Sequence, residues 1–178
     1  MTHHVHAIRD IMPGEELTIT YIDNEQNRAK RMRKLENNWG FKCSCSACTA
    51  HPSLTFESDS RLHQIALLSD NLNDWTPTSS ATPEVAELLI SLYEQERLHA
   101  NLATAYKHAA EVYSSFGKRF EAIKYARLST EMSILDKGFG DEDVREMRKM
   151  SNSPEMSWSW KKRVGMGGKG GCGCGHER

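Results

Sequence analysis

Hydrophobic and polar positions change their repeat several times along the chain. In residues 5–22 they alternate. Val5, Ala7 and Ile8 form one run, and Leu17, Ile19 and Tyr21 form a second at a period of two, the repeat of a strand with one covered face. Pro13 and Gly14, between the runs, suit the central positions of a tight turn. The pattern predicts two short strands joined as a β-hairpin. Residues 24–38 are rich in Arg, Lys and Glu, with only Met32 and Leu35 as an apolar stripe, which predicts a surface helix ending near Asn37 and Asn38.

Beyond residue 55 the repeat becomes helical. Leu62, Ile65, Ala66, Leu68 and Leu72 predict a helix over 56–72, and the Ser/Thr/Pro-rich stretch from Asn73 to Pro83 reads as a linker. Helices are expected near 84–99, 101–116 and 119–135. In the second of these, Leu102, Ala105, Tyr106, Ala109, Val112, Tyr113 and Phe116 share one face. Gly138 and Gly140 break the pattern before a short helix at 141–150. Seven of the twelve glycines fall after residue 164, and residues 151–178 read as a flexible, Gly-rich basic tail. The expected fold class is α+β: a β-hairpin and a cysteine loop, then a mainly α-helical, repeat-like bundle and a disordered tail. The units divide as 1–23, 24–51, 56–150 and 151–178.

Composition narrows the classes. With 38% hydrophobic and 26% charged residues the chain has a globular balance, and its net charge of −1 exerts no global pull on nucleic acid or membrane. No run of 18 apolar residues is present, so no membrane span is expected. The first residues lack a basic region followed by an apolar run, which speaks against a secretory signal and for an intracellular location, nucleus or cytoplasm. Lys161, Lys162, Arg163, Lys169 and Arg178 form a short positive run of the kind that solvated tails carry, so nucleic acid is not an expected partner.

Three of the five cysteines, Cys43, Cys45 and Cys48, form a C-x-C-x2-C cluster. In a reducing compartment such a cluster favours metal over disulfides. Zinc takes four ligands in a tetrahedron and prefers thiolates in structural sites, so the cluster supplies three corners and a fourth must come from elsewhere. His51, three residues on, is one source. Cys172 or Cys174, folding back from the tail, are others, and His176 is a weaker one. Closing so long a loop is not prohibitive, because each doubling of its length costs only about 0.6 kcal/mol.

Two stretches together carry a family likeness. Val5-His6-Ala7-Ile8-Arg9-Asp10-Ile11 with Pro13-Gly14-Glu15-Glu16-Leu17-Thr18-Ile19-Thr20-Tyr21 resembles the last strands of the SET domain. A charged helix then leads to Trp39-Gly40-Phe41-Lys42 and the three cysteines, which is similar to the post-SET segment of the SET and MYND-type protein-lysine methyltransferases. The resemblance covers about a quarter of the chain. It implies that the hairpin is a remnant of a SET core and that zinc is the metal. It further implies that, in a complete family member, S-adenosylmethionine donates a methyl group to a lysine ε-amine of a histone or another protein.

By the same resemblance Tyr21 matches the active-site tyrosine. A phenol offers a hydrogen bond without charge and can align an amine for attack; without the motif, Tyr21 would read as a packed strand aromatic. Trp39 and Phe41 match positions in an aromatic lysine channel, which suits a lysine's apolar stem and cationic head. Packing against the zinc loop is their alternative role. Ala110, Tyr113, Gly117 and Ala122 resemble the small and aromatic positions of a tetratricopeptide unit, and the same family carries a repeat-like helical domain after its zinc loop. That domain is a candidate site for a peptide partner.

The sequence departs from the family in lacking its glycine-containing cofactor motif and its Asn-His-x-Cys segment. The expectation is therefore a truncated gene product or a displaced gene start, inactive alone. The alternative is a non-catalytic zinc-binding and helical-repeat interaction module.

Overall fold

Helices account for nearly all the regular structure, and capping residues set most of their boundaries. In the computed structural model, which describes residues 7–17 and 19–164, α1 spans Arg28–Trp39. The Asn27 side chain accepts from the Lys30 N–H at its start. It ends at Gly40, whose φ of 70° is the left-handed turn that a glycine adopts without strain. A single turn, α2 (Ser46–Thr49), holds the cysteine loop, and α3 (Pro52–Asn73) follows with Pro52 at its first position. The remaining helices are α4 (Pro83–Gln95), α5 (Leu102–Ser115), α6 (Arg119–Lys137) and α7 (Glu142–Asn152). Short 3-10 turns lie at His99–Asn101 and Pro154–Met156.

From α3 to α7 each helix packs chiefly on the next, so the helical half grows by stacking hairpins. Ile65 and Leu72 of α3, Leu89 of α4, Val112 of α5, and Met147 and Met150 of α7 are fully buried. Burying side chains of this kind contributes roughly 1.5–3 kcal/mol each. The α5–α6 hairpin is the closest pair. Ala105, Ala109 and Ala110 of α5 and Ala122 and Ala126 of α6 are all at 0% exposure, and Tyr106 and Tyr113 of α5 stack on Tyr125 of α6 across the hairpin. Gly117, with φ 71°, makes the turn between them.

The β-hairpin expected over residues 5–22 does not form: no strand occurs among the described residues. The turn at Pro13 and Gly14 is present, closed by the Glu15 N–H donating to the Met12 carbonyl at 3.0 Å. The described flanking residues are irregular, with bends at Ile8–Arg9 and Tyr21–Ile22, and Leu17 is 75% and Ile19 66% exposed. A strand needs a ladder partner, and an isolated two-stranded unit is marginal in water. The helices leave Leu17, Ile19 and Tyr21 of the second run exposed, so those alternating side chains find nothing to bury against.

The disordered tail is also corrected in part. Residues 154–164 pack on the bundle, with the Lys161 and Arg163 N–H groups donating to the Ser114 and Ser115 carbonyls at 3.0 and 2.9 Å. Arg163 is 4% exposed and lies 3.9 Å above the Trp75 ring, which in turn meets Trp158 edge-on at 4.5 Å. Aromatic and cationic side chains do here what aliphatic ones do elsewhere. The loop 74–82 that read as a linker is thus one wall of this contact. The rest of the tail, with Cys172, Cys174 and His176, lies outside the described residues. No helix among those described is long and apolar enough to cross a membrane.

Candidate metal centre and aromatic cluster

The loop after α1 gathers the three cysteines. Gly40 reverses the chain at the end of α1, and Cys45 caps α2, its carbonyl accepting from the Cys48 and Thr49 N–H groups at 3.0 Å each. That single turn folds Cys48 back toward Cys43, and the three sulfur atoms lie within 4.8 Å of one another. A tetrahedral zinc with bonds of about 2.3 Å would hold its sulfurs roughly 3.8 Å apart, a spacing inside that limit.

The electrostatics point the same way. Burial, with the contacts of Cys45 and Cys43 adding to the rise, pushes the Cys48 thiol up to about 12. Burial also raises Cys45, but hydrogen bonds from the Cys48 N–H, from the Cys43 and Cys48 thiols and from the Ala47 N–H outweigh it and hold Cys45 below its ordinary value. Three adjacent sulfurs cannot all ionise without a cation to offset their charge. A divalent metal supplies that charge and deprotonates its thiols on binding. The site therefore fits zinc.

His51 does not join the cluster. It caps α3, its Nδ1 lying 2.8 Å from the Ser53 hydroxyl and accepting from the Ser53 N–H at 3.4 Å. Among the described residues the ligand set stands at three cysteines.

Tyr21, Trp39 and Phe41 come together although 18 residues separate the first two. The Tyr21 ring lies edge-on to Trp39 at 5.1 Å and to Phe41 at 5.9 Å. Trp39 is the last residue of α1 and Phe41 follows the Gly40 reversal, so the turn that delivers the cysteines also delivers both rings. The trio is open to solvent, with Tyr21 50%, Trp39 53% and Phe41 40% exposed. With Tyr21 half exposed, the described residues do not by themselves enclose S-adenosylmethionine beside the phenol.

Sequence reasoning missed what docks this region on the helices. Glu25 accepts from the Tyr93 hydroxyl at 3.1 Å and from the Asn101 amide at 2.5 Å. The Arg28 N–H donates to Asp59 at 2.8 Å. Such contacts join residues far apart in the chain, and no local repeat signals them.

No family model matches the chain. Similarity to curated proteins is nonetheless clear. A histone-lysine N-methyltransferase set5 of Schizosaccharomyces pombe is 43% identical over 63 residues, 35% of this chain and 20% of that protein. The protein-lysine N-trimethyltransferase SMYD5 of Mus musculus is 42% identical over 62 residues, 32% of this chain and 15% of its own length. A SET and MYND domain-containing protein of Dictyostelium discoideum is 38% identical over 47 residues, 26% of this chain and 14% of its own. The chain thus has homologues among the SET-type protein-lysine methyltransferases, including SET and MYND proteins. It spans a fifth or less of the length of these relatives.

Proposed function

We propose that this chain serves S-adenosylmethionine-dependent methylation of protein lysines, with Tyr21 as the phenol beside the lysine amine. The observation that carries the reading is the convergence of Tyr21 with Trp39 and Phe41, on a loop anchored by the cysteine cluster. The Tyr21 hydroxyl can hold a neutral amine in line for displacement, and positioning of this kind accounts for much of the rate in such reactions. Trp39 and Phe41 offer apolar walls to a lysine stem and a π face to its charged head before deprotonation. Zinc, when bound, cross-links the loop and so fixes both rings; Cys43, Cys45 and Cys48 hold it with a fourth ligand, for which Cys172 and Cys174 remain candidates. The substrate is a histone or another protein, in the nucleus or cytoplasm.

A chimera tests this. Residues 7–48 would replace the matching stretch of the fission-yeast relative, and labelled methyl transfer to histones would be followed. Activity that survives the exchange and is lost on Tyr21→Phe supports the reading. Activity indifferent to Tyr21→Phe overturns it. The chain by itself is expected not to bind S-adenosylmethionine, since Tyr21 stands open; micromolar binding in calorimetry would contradict that.

The exposure of the aromatic trio favours a second reading, a non-catalytic zinc and helical-repeat module that binds a protein partner. Partner capture unaffected by Tyr21→Phe, together with an inactive chimera, would establish it.

A further inference from the structure

Positive charge is segregated on α1. Its twelve residues hold Arg28, Lys30, Arg31, Arg33 and Lys34 against one acid, Glu36. Removing those five bases and one acid from totals of 23 and 24 leaves 18 bases against 23 acids elsewhere. The net charge of −1 hides this division.

Two of the five cations are used internally. Arg31 is buried, its guanidinium donating to the Gln26 carbonyl at 2.5 Å, and Arg28 donates to Asp59 through its backbone and to Thr55 through its side chain. The other three, Lys30, Arg33 and Lys34, are exposed and share one face at i, i+3 and i+4 spacing. None of them makes an ion pair among the described residues. Asn37 and Asn38 continue the exposed strip with amide donors.

This arrangement works against the helix. Like charges one turn apart repel, as Lys30 and Lys34 do. The positive end of the helix dipole is already met by the Asp59 carboxylate, which accepts from the Arg28 N–H at 2.8 Å. An anionic partner along the strip would relieve that repulsion. Leu35, the buried apolar residue of α1, faces the body of the protein, and of the large apolar residues of the helix only Trp39, at its last position, is exposed, so α1 has no continuous apolar face to insert into a bilayer. Lys30 to Lys34 span about 6 Å of helix axis, over which a nucleic-acid duplex presents roughly three phosphates.

We propose that the outer face of α1 is a docking strip for the phosphate backbone of a nucleic-acid duplex, with Lys30, Arg33 and Lys34 each neutralising a phosphate. Such contacts set position without reading sequence. The strip is independent of the methyl-transfer reading, since none of the three belongs to the aromatic trio or the cysteine set.

The test is fluorescence anisotropy of the full zinc-loaded chain with a short labelled DNA duplex. Three neutralised phosphates predict that affinity falls roughly 40-fold between about 50 and about 200 mM salt. The triple variant Lys30→Gln, Arg33→Gln, Lys34→Gln should lose most of the binding and nearly all of the salt dependence, with its melting temperature unchanged or raised. Lys30→Gln alone should lower the logarithmic salt slope by about 0.9, so the proposal stays testable if the triple variant misfolds. Absence of binding at about 50 mM salt, or an unchanged slope in the variants, would overturn it. So would competition by polyglutamate equal to that of DNA, or capture on phosphatidylserine vesicles in place of the duplex, because either result assigns the strip to a different polyanion.

Discussion

The Tyr93 hydroxyl of α4 donates to the Glu25 carboxylate at 3.1 Å, across 68 residues of sequence. It fastens the segment ahead of α1, and with it Tyr21, to the helical half. Burial pushes the Glu25 carboxyl above its ordinary value; the Tyr93 bond draws it back and the charge of Asp23 adds to the rise. Tyr93→Phe removes a donor from a half-buried carboxylate that keeps only Asn101 as a partner. The expected cost is about 1–3 kcal/mol. Hydrogen exchange should quicken over residues 19–27 before it does in α5 and α6. Uniform quickening would show that Tyr93 acts as core rather than as a tie.

His108 and Glu111 of α5 form a second buried pair, 8% and 6% exposed, with Nδ1 and Oε2 4.0 Å apart. Burial lowers His108 to about 4, with Lys107 adding to the fall and Asp143 opposing it. Burial raises Glu111 to about 7, assisted by Glu146 and Asp143 and opposed by Lys107 and Arg163. The raised Glu111 contributes stability that is full below its ordinary 4.5 and is lost as pH climbs through about 7. The depressed His108 contributes stability that is full above its ordinary 6.5 and is lost as pH falls through about 4. The two slopes oppose each other and nearly cancel between 4.5 and 6.5. Denaturant titrations should therefore show little slope from this pair in the intact chain. Glu111→Gln should leave stability falling toward acid, and His108→Gln should leave it falling toward pH 7, each by up to about 1.4 kcal/mol per pH unit. Parallel profiles in both variants would refute the assignment.

The helices could be read from the sequence because each carries its own evidence. Leu62 and Ile65 mark the inward stripe of α3, and Pro83 sits at the first position of α4 behind its Thr82 cap. The cysteine cluster was legible for the same reason, since its spacing is local. The hairpin failed because alternation at Leu17 and Ile19 states which face a strand would bury, not that anything is there to bury it. The aromatic trio could be anticipated only through family resemblance: nothing in the spacing of Tyr21 and Trp39 says that their rings meet. The C-terminal contact escaped notice because Trp158 and Arg163 stand among polar residues and find Trp75 and Asp74 more than 80 residues away.

Metal removal should act locally. Helix α2 of the cysteine loop packs on α1, while the core lies in α3 to α7. Chelation, or Cys48→Ser, is expected to abolish zinc binding and to alter near-ultraviolet signals from Trp39. The main helical melting transition should shift by less than about 1 kcal/mol, as expected for a change outside the core. Metal analysis with circular dichroism checks this. Collapse of the whole transition on chelation would show that the loop nucleates the bundle instead.

Arg163 closes the other end of the molecule. Its Nη2 donates to the Asp74 carbonyl at 2.7 Å and to the Ser79 hydroxyl at 3.3 Å, and its plane covers Trp75. Its own N–H donates to the Ser115 carbonyl at the end of α5, and the Lys161 N–H gives the Ser114 carbonyl a second donor beside that of Gly117. Gly117 admits this contact: a Cβ there would meet the Lys161 side chain at 3.3 Å in a backbone conformation that already disfavours one. Arg163→Ala should cost about 1–3 kcal/mol and open residues 154–164 to protease while α5 and α6 stay protected. Arg163→Lys should rescue little, because an ammonium does not stack on an indole as a planar group. Full rescue by lysine would show that charge alone holds the segment, and that the stacking on Trp75 is incidental.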